Sequence, residues 1–190
     1  MKNRKSRKIK IKNNTTVKNG GSKWVIIIVI LSFFISVSMD ILSSALIPKA
    51  DIITALIILI VLIFIGIIFD IVGVAVATAD ETPFHSMAAG KVKGATQSIW
   101  LIRNAEKVSN ICNDVIGDTV GIISGAATAV IITKIINVYN VDEIVLSLLL
   151  TGFVASLTIG GKALGKGFAI SKANSIIYSV ARVISVFKKK

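Results

Sequence analysis

Long uncharged apolar runs, separated by short polar stretches, set the pattern of this chain. The first run, residues 24–47, is interrupted by one acid, Asp40, and scattered serines. As a helix it measures about 36 Å, enough to cross a bilayer with some tilt. Pro48-Lys49-Ala50-Asp51 predicts a tight turn, with Asp51 placed to cap a second helix. That helix starts at Ile52, meets Asp70 and continues in small residues to about Ala79. Further spans are predicted over about 108–132 and 144–164, joined by the short connection INVYNVDE. A cleaved signal peptide is the competing reading for 24–47. The run exceeds an ordinary signal core and follows a long basic lead, which favours a retained helix.

Two segments are amphipathic instead. In 82–107, Thr82-Pro83 predicts a helix start and a short helix to Ala89. Gly90 and Gly94 separate it from a second helix over about 95–104, which carries the interfacial residue Trp100. The stretch 170–187 repeats apolar residues at helical spacing, with Lys172 and Arg182 on its polar side. The fold class that follows is all-α, a polytopic membrane protein of four transmembrane helices. Short cytoplasmic helices and a C-terminal juxtamembrane amphipathic helix complete it.

Composition supports the pattern. Hydrophobic residues make up 54%, charged residues 17%, and the mean hydropathy is +0.81. Soluble domains carry about 25% charged residues, so a freely soluble enzyme is excluded. The net charge of +12 lies mostly outside the spans: nine of 22 basic residues fall in the first 23 positions, and Lys188-Lys189-Lys190 close the chain. Such flanking blocks suit anionic lipid better than nucleic acid, and the 1–23 tail is expected to be disordered. Lys and Arg counts place both termini and the 82–107 segment in the cytoplasm of a cell whose plasma membrane holds the protein.

Candidate chemistry is sparse. Cys112 is the single cysteine and His85 the single histidine, so neither a disulfide nor a His-rich metal cluster can form within the chain. GGKALGKG lacks the Gly-Lys-Ser/Thr ending of a phosphate loop. No cofactor and no enzymatic activity are expected. Four acids nevertheless fall inside spans: Asp40, Asp70, Asp114 and Asp118. Each costs about 2.5–3.5 kcal/mol to insert, so such groups face a partner, a cavity or an ion; Asp40, near the outer end of its span, is instead expected to sit in water or pair with lysine. Asp114 and Asp118 share a helix face and, with Asn113, offer hard oxygen ligands suited to magnesium, calcium or sodium. The alternative is that they sit in water or pair with lysine. Gly117, Gly121 and Gly125 form a ridge for close helix approach, matched by Gly152, Ser156 and Gly160. This predicts a homodimer through Gly-rich helices. Gly160-Gly161, Gly165 and Gly167 also suggest a helix break with exposed carbonyls.

In order along residues 52–187 stand Thr78-Ala79-Asp80-Glu81-Thr82-Pro83, Asn104-Ala105-Glu106-Lys107 and Ile116-Gly117-Asp118-Thr119, and on these the segment resembles the transmembrane domain of the CNNM/CorB/CorC proteins, associated with magnesium and cobalt efflux. Thr78-Ala79-Asp80-Glu81-Thr82-Pro83 looks like that family's Ser-x-Ser-Glu-Thr-Ala motif at the end of its first span. Asn104-Ala105-Glu106-Lys107 looks like its Asn-Pro-Glu-Arg stretch, and Ile116-Gly117-Asp118-Thr119 is similar to its Ile-Gly-Asn-Asn motif. The family's third-span Gly-Glu-x-x-Pro-Lys motif, whose Glu is implicated in magnesium coordination, is represented by Gly160-Gly161-Lys162-Ala163-Leu164. Here Gly161 stands where the Glu would be, no CBS domain pair is expected, and the 24–47 helix is added in front. The resemblance implies divalent-cation binding or transport, with magnesium as ligand or substrate. The residues implied are Thr78 and Asp80 from the second span, and Asn113, Asp114 and Asp118 from the third. The alternative is a scaffold or regulator that kept the fold and lost the ion site.

Overall fold

A computed structural model describes residues 21–187, which are helical and contain no strands among the described residues. Nearly all of the basic tail (residues 1–20) and the terminal lysines lie outside the described residues. The helices are α1 (Gly21–Leu46), α2 (Ile52–Thr78), α3 (Thr82–Ala89), α4 (Ala95–Arg103) and α5 (Ala105–Asn110). A π-helical segment, π1 (Ile111–Asp118), then leads into α6 (Thr119–Tyr139), followed by α7 (Glu143–Ser171) and α8 (Ala173–Phe187). Four helical stretches are long and apolar enough to cross a membrane: Lys23–Leu46, Ile52–Thr78, Ala105–Tyr139 and Glu143–Ser171.

α2 is the hub and packs against α5, π1, α6, α7 and α8. Asp51 caps it as the sequence predicts: its carboxylate accepts from the N–H of Thr54 at 3.2 Å and from the Thr54 hydroxyl at 2.6 Å. The same two contacts hold the Asp51 carboxyl below the ordinary value of 3.8, the hydroxyl contributing most. One core joins Ile47, Ala55, Leu59, Ile63, Ala127, Ile131 and Val154 at one end of the bundle. A second joins Ala75, Val76, Phe84, Leu101, Ala169, Ala173, Ile177 and Ala181, burying one face of α8 against the ends of α2 and α7. Alanines recur in both because small side chains let apolar helices approach closely. Large side chains such as Leu148, Ile122 and Leu164 point outward, at 71%, 75% and 80% exposure, as lipid-facing positions do.

Three expectations change in detail. No break occurs at Gly160-Gly161: α7 runs unbroken to Ser171. A Cβ at Gly161 would overlap the Ile67 side chain, and one at Gly165 would stand 2.8 Å from Ile71 Cγ1. These glycines serve helix contact with α2, and their carbonyls stay in the helix. The third span carries the π segment, which the apolar pattern does not announce. Glu81, not Thr82, precedes α3 at its cap position. Glu81 accepts from Arg103 Nε at 2.7 Å and lies 2.9 Å from His85 Nε2, tying α3 to the end of α4.

Candidate functional site

The polar centre of the bundle lies between α2 and π1. Gly66, Asp70 and Gly73 are spaced four and three residues apart and so form one face of α2. The two glycines identify what this face meets. A Cβ at Gly66 would stand 3.2 Å from Val120 Cγ1, and one at Gly73 would overlap the side-chain amide of Asn113. Asp70, between them, lies on this same face of α2, which meets π1 and the start of α6.

Asp70 is only 5% exposed. Its Oδ2 has no hydrogen-bond partner among the described residues, and neither has the buried Oδ1 of Asn113. The Asn113 amide nitrogen donates to Ser109 Oγ at 3.2 Å, which orients the Oδ1 away from that hydroxyl. Two other buried polar atoms lack partners, Trp24 Nε1 and Ser124 Oγ. Trp24 Nε1 is a donor and Ser124 Oγ belongs to α6, whereas Asp70 and Asn113 carry acceptor oxygens on the α2 and π1 sides of one interface. An unpartnered carboxylate in a low-dielectric interior is costly unless a proton or cation meets it.

The π turn gives this region its shape. In a π-helix the carbonyls bond five residues on, and such turns concentrate at functional sites. Gly117 suits the wide turn, because a Cβ there would stand 3.3 Å from the Cys112 carbonyl oxygen, 3.6 Å from Lys162 Nζ and 4.0 Å from the Gly66 carbonyl oxygen. The Lys162 ammonium from α7 thus rests over Gly117. It also lies 3.5 Å from Asp118 Oδ1, a long contact in which Lys162 is 22% and Asp118 68% exposed. Solvent screening leaves such a pair worth little.

The five residues singled out in the sequence are distributed over two places. Asn113 is in the α2–π1 interface. Asp114 and Asp118 belong to the same π segment but are exposed. Each follows an inward residue, Asn113 or Gly117, and consecutive residues on a helix do not face the same way. Thr78 and Asp80 lie at the far end of α2. The Thr78 hydroxyl donates to the carbonyl of Val74 at 2.9 Å. Asp80 accepts from the Thr82 N–H at 3.0 Å and the Thr82 hydroxyl at 2.8 Å, which hold its carboxyl below 3.8. Asp40 is exposed on α1. Among the described residues, no three of His, Cys, Asp or Glu form a group that could hold a metal by themselves. Asp70 and Lys162 are the participants that sequence reasoning left out of the site. Asp70 announced itself as an acid within an apolar run, whereas nothing in the local pattern marks Lys162 as reaching Gly117.

No family model, curated protein or solved structure matches this chain.

Proposed function

We propose that the protein is a multi-pass membrane protein that binds and moves an inorganic cation at the α2–π1 interface, with magnesium as the substrate to test first. One observation carries the reading: Asp70 Oδ2 and Asn113 Oδ1, both buried and both without a hydrogen-bond partner among the described residues, on facing surfaces. Their chemistry is hard oxygen, which suits magnesium, calcium or sodium over softer metals. Magnesium keeps several of its waters and needs only one or two protein oxygens, so a full cage of carboxylates is not required. Asp114 and Asp118, exposed on the same segment, would attract a hydrated cation before it sheds water. The distribution of Lys and Arg supports cytoplasmic termini, with α3, α4 and the juxtamembrane α8 on that side of a plasma membrane. The basic tail would rest on anionic lipid. A Cβ added at Gly121 or Gly125 would meet nothing within 4 Å, which supports self-association as a homodimer through these two, whereas Gly117 of the same ridge is buried within the bundle.

A second reading has its own observation. Lys162 already brings an ammonium to Gly117 and Asp118, so a tethered positive charge stands where an incoming ion would approach. In that case the protein is a scaffold or regulator that kept the fold without transport. Magnesium flux into proteoliposomes separates the two. Flux that falls at least tenfold in Asp70→Asn and in Asn113→Leu supports the ion site; wild-type flux no greater than that of protein-free vesicles supports the scaffold.

A further inference from the structure

Two cavities adjoin at the corner where α7 gives way to α8. One, of about 380 Å³, runs along Phe168, Ile176 and Val180 and is otherwise lined by Lys172, Ser175 and Ser179. The other, of about 240 Å³, is polar and includes Thr78, Asp80, Ser171 and Asn174. Lys172 and Ser175 line both. An apolar groove and a polar cup thus lie side by side with Lys172 and Ser175 between them, the polarity pattern of an amphiphile.

The charges in the cup are opposite in sign and available. No ion pair within 4.0 Å joins Asp80 to Lys172 among the described residues. Thr82 occupies Asp80 Oδ1 and leaves Oδ2 open. Asn174 Oδ1 accepts from the Asp80 N–H at 2.9 Å, so its amide NH₂ is left to donate. The corner also lies at the ends of two helices long enough to span a membrane, α2 and α7, beside the outward-facing Phe168 and Ile170. Phospholipid headgroups sit at that level of a bilayer.

We propose that this corner binds one phospholipid with a primary-amine, zwitterionic headgroup, a phosphatidylethanolamine. Its ammonium meets Asp80, its phosphate meets Lys172, Asn174 and Ser175, and an acyl chain follows Phe168, Ile176 and Val180. The charge balance selects this occupant. An anionic headgroup without an amine leaves the Asp80 carboxylate facing a like charge. A choline headgroup fills the space but carries no N–H to donate. The site shares no residue with the Asp70–Asn113 interface, so either can fail alone.

The test uses the full chain purified in detergent and exchanged into mixed micelles with dioleoyl phosphatidylethanolamine, phosphatidylcholine or phosphatidylglycerol. Bound lipid is counted by native mass spectrometry. The expected result is one phosphatidylethanolamine retained about tenfold more tightly than either other lipid, the loss that follows when a charge-assisted hydrogen bond is not made. Asp80→Asn, which keeps acceptors for Thr82, abolishes the preference over phosphatidylglycerol. Lys172→Gln, at an exposed position, weakens phosphatidylethanolamine retention about tenfold. Equal retention of the three lipids, or a preference unchanged in both variants, overturns the proposal.

Discussion

At Asp70 the burial of a carboxylate and the lack of a partner oppose each other, and the sign of that conflict can be measured. Asp70→Asn removes a buried charge while keeping its shape. In magnesium-free detergent the variant is expected to unfold at a higher temperature than wild type, since relieving an uncompensated buried charge stabilises. An Asp70→Asn midpoint below wild type would show that the carboxylate has a partner in the folded protein. Gly73 offers an independent check on the geometry. A Cβ there overlaps the Asn113 amide, so Gly73→Ala is expected to cost about 1–3 kcal/mol through overpacking. Gly167→Ala, at an exposed position where a Cβ would meet nothing within 4 Å, is expected to be neutral or to gain up to about 1 kcal/mol from helix propensity. Thermal midpoints of the two variants should move apart. Equal shifts would contradict the packing of Asn113 on Gly73.

At the scale of elements, helix ends carry the testable chemistry. Lys134 Nζ donates to the Ile47 carbonyl at 2.8 Å and also to the Ala50 carbonyl, reaching from α6 to the turn after α1. These carbonyls belong to the turn where a helix ends and has no internal donors to offer. Lys134→Met is expected to cost about 1–3 kcal/mol and to speed hydrogen exchange in residues 47–50; unchanged exchange there would contradict the clamp. At the start of α2, Asp51 has a folded pKa below its ordinary 3.8, owing first to the Thr54 hydroxyl and then to the Thr54 N–H. A depressed carboxylate contributes stability that is fully present above 3.8 and fades as pH falls through the lower folded value. Between pH 5 and 2, Asp51→Asn, itself a good cap, should therefore lose less thermal midpoint than wild type. Parallel losses would show that Asp51 is not a titrating cap.

The same scale explains what could be read from the sequence. The four apolar runs, the Asp51 cap and the two short helices after α2 follow from local pattern, because hydropathy, turn residues and caps are properties of neighbouring positions. The π segment does not: it depends on Asn113 and Gly117 meeting α2, a contact more than thirty residues away in the chain. For that reason Asp114 and Asp118 looked like partners of Asn113 while their neighbours in sequence turn inward. The glycines of 160–167 misled in the same way. Read locally they suggest a broken helix, but Ile67 and Ile71 of α2 give two of them a packing role.

For the whole molecule, the organisation is a central helix, α2, carrying one buried acid into a bundle whose outer surface is apolar. Its partner segment is the only π-helical stretch among the described residues. A cation that binds the folded bundle and not the unfolded chain must stabilise it in proportion to its concentration. Thermal unfolding of the full chain in detergent, titrated with magnesium against a sodium control at equal ionic strength, therefore tests for a cation at Asp70 and Asn113 directly. At one hundred times the dissociation constant, magnesium is expected to add about 2.7 kcal/mol to wild type and nothing to Asp70→Asn. A wild-type midpoint that does not respond to magnesium, or one that rises equally in Asp70→Asn, would contradict a cation site at Asp70 and Asn113.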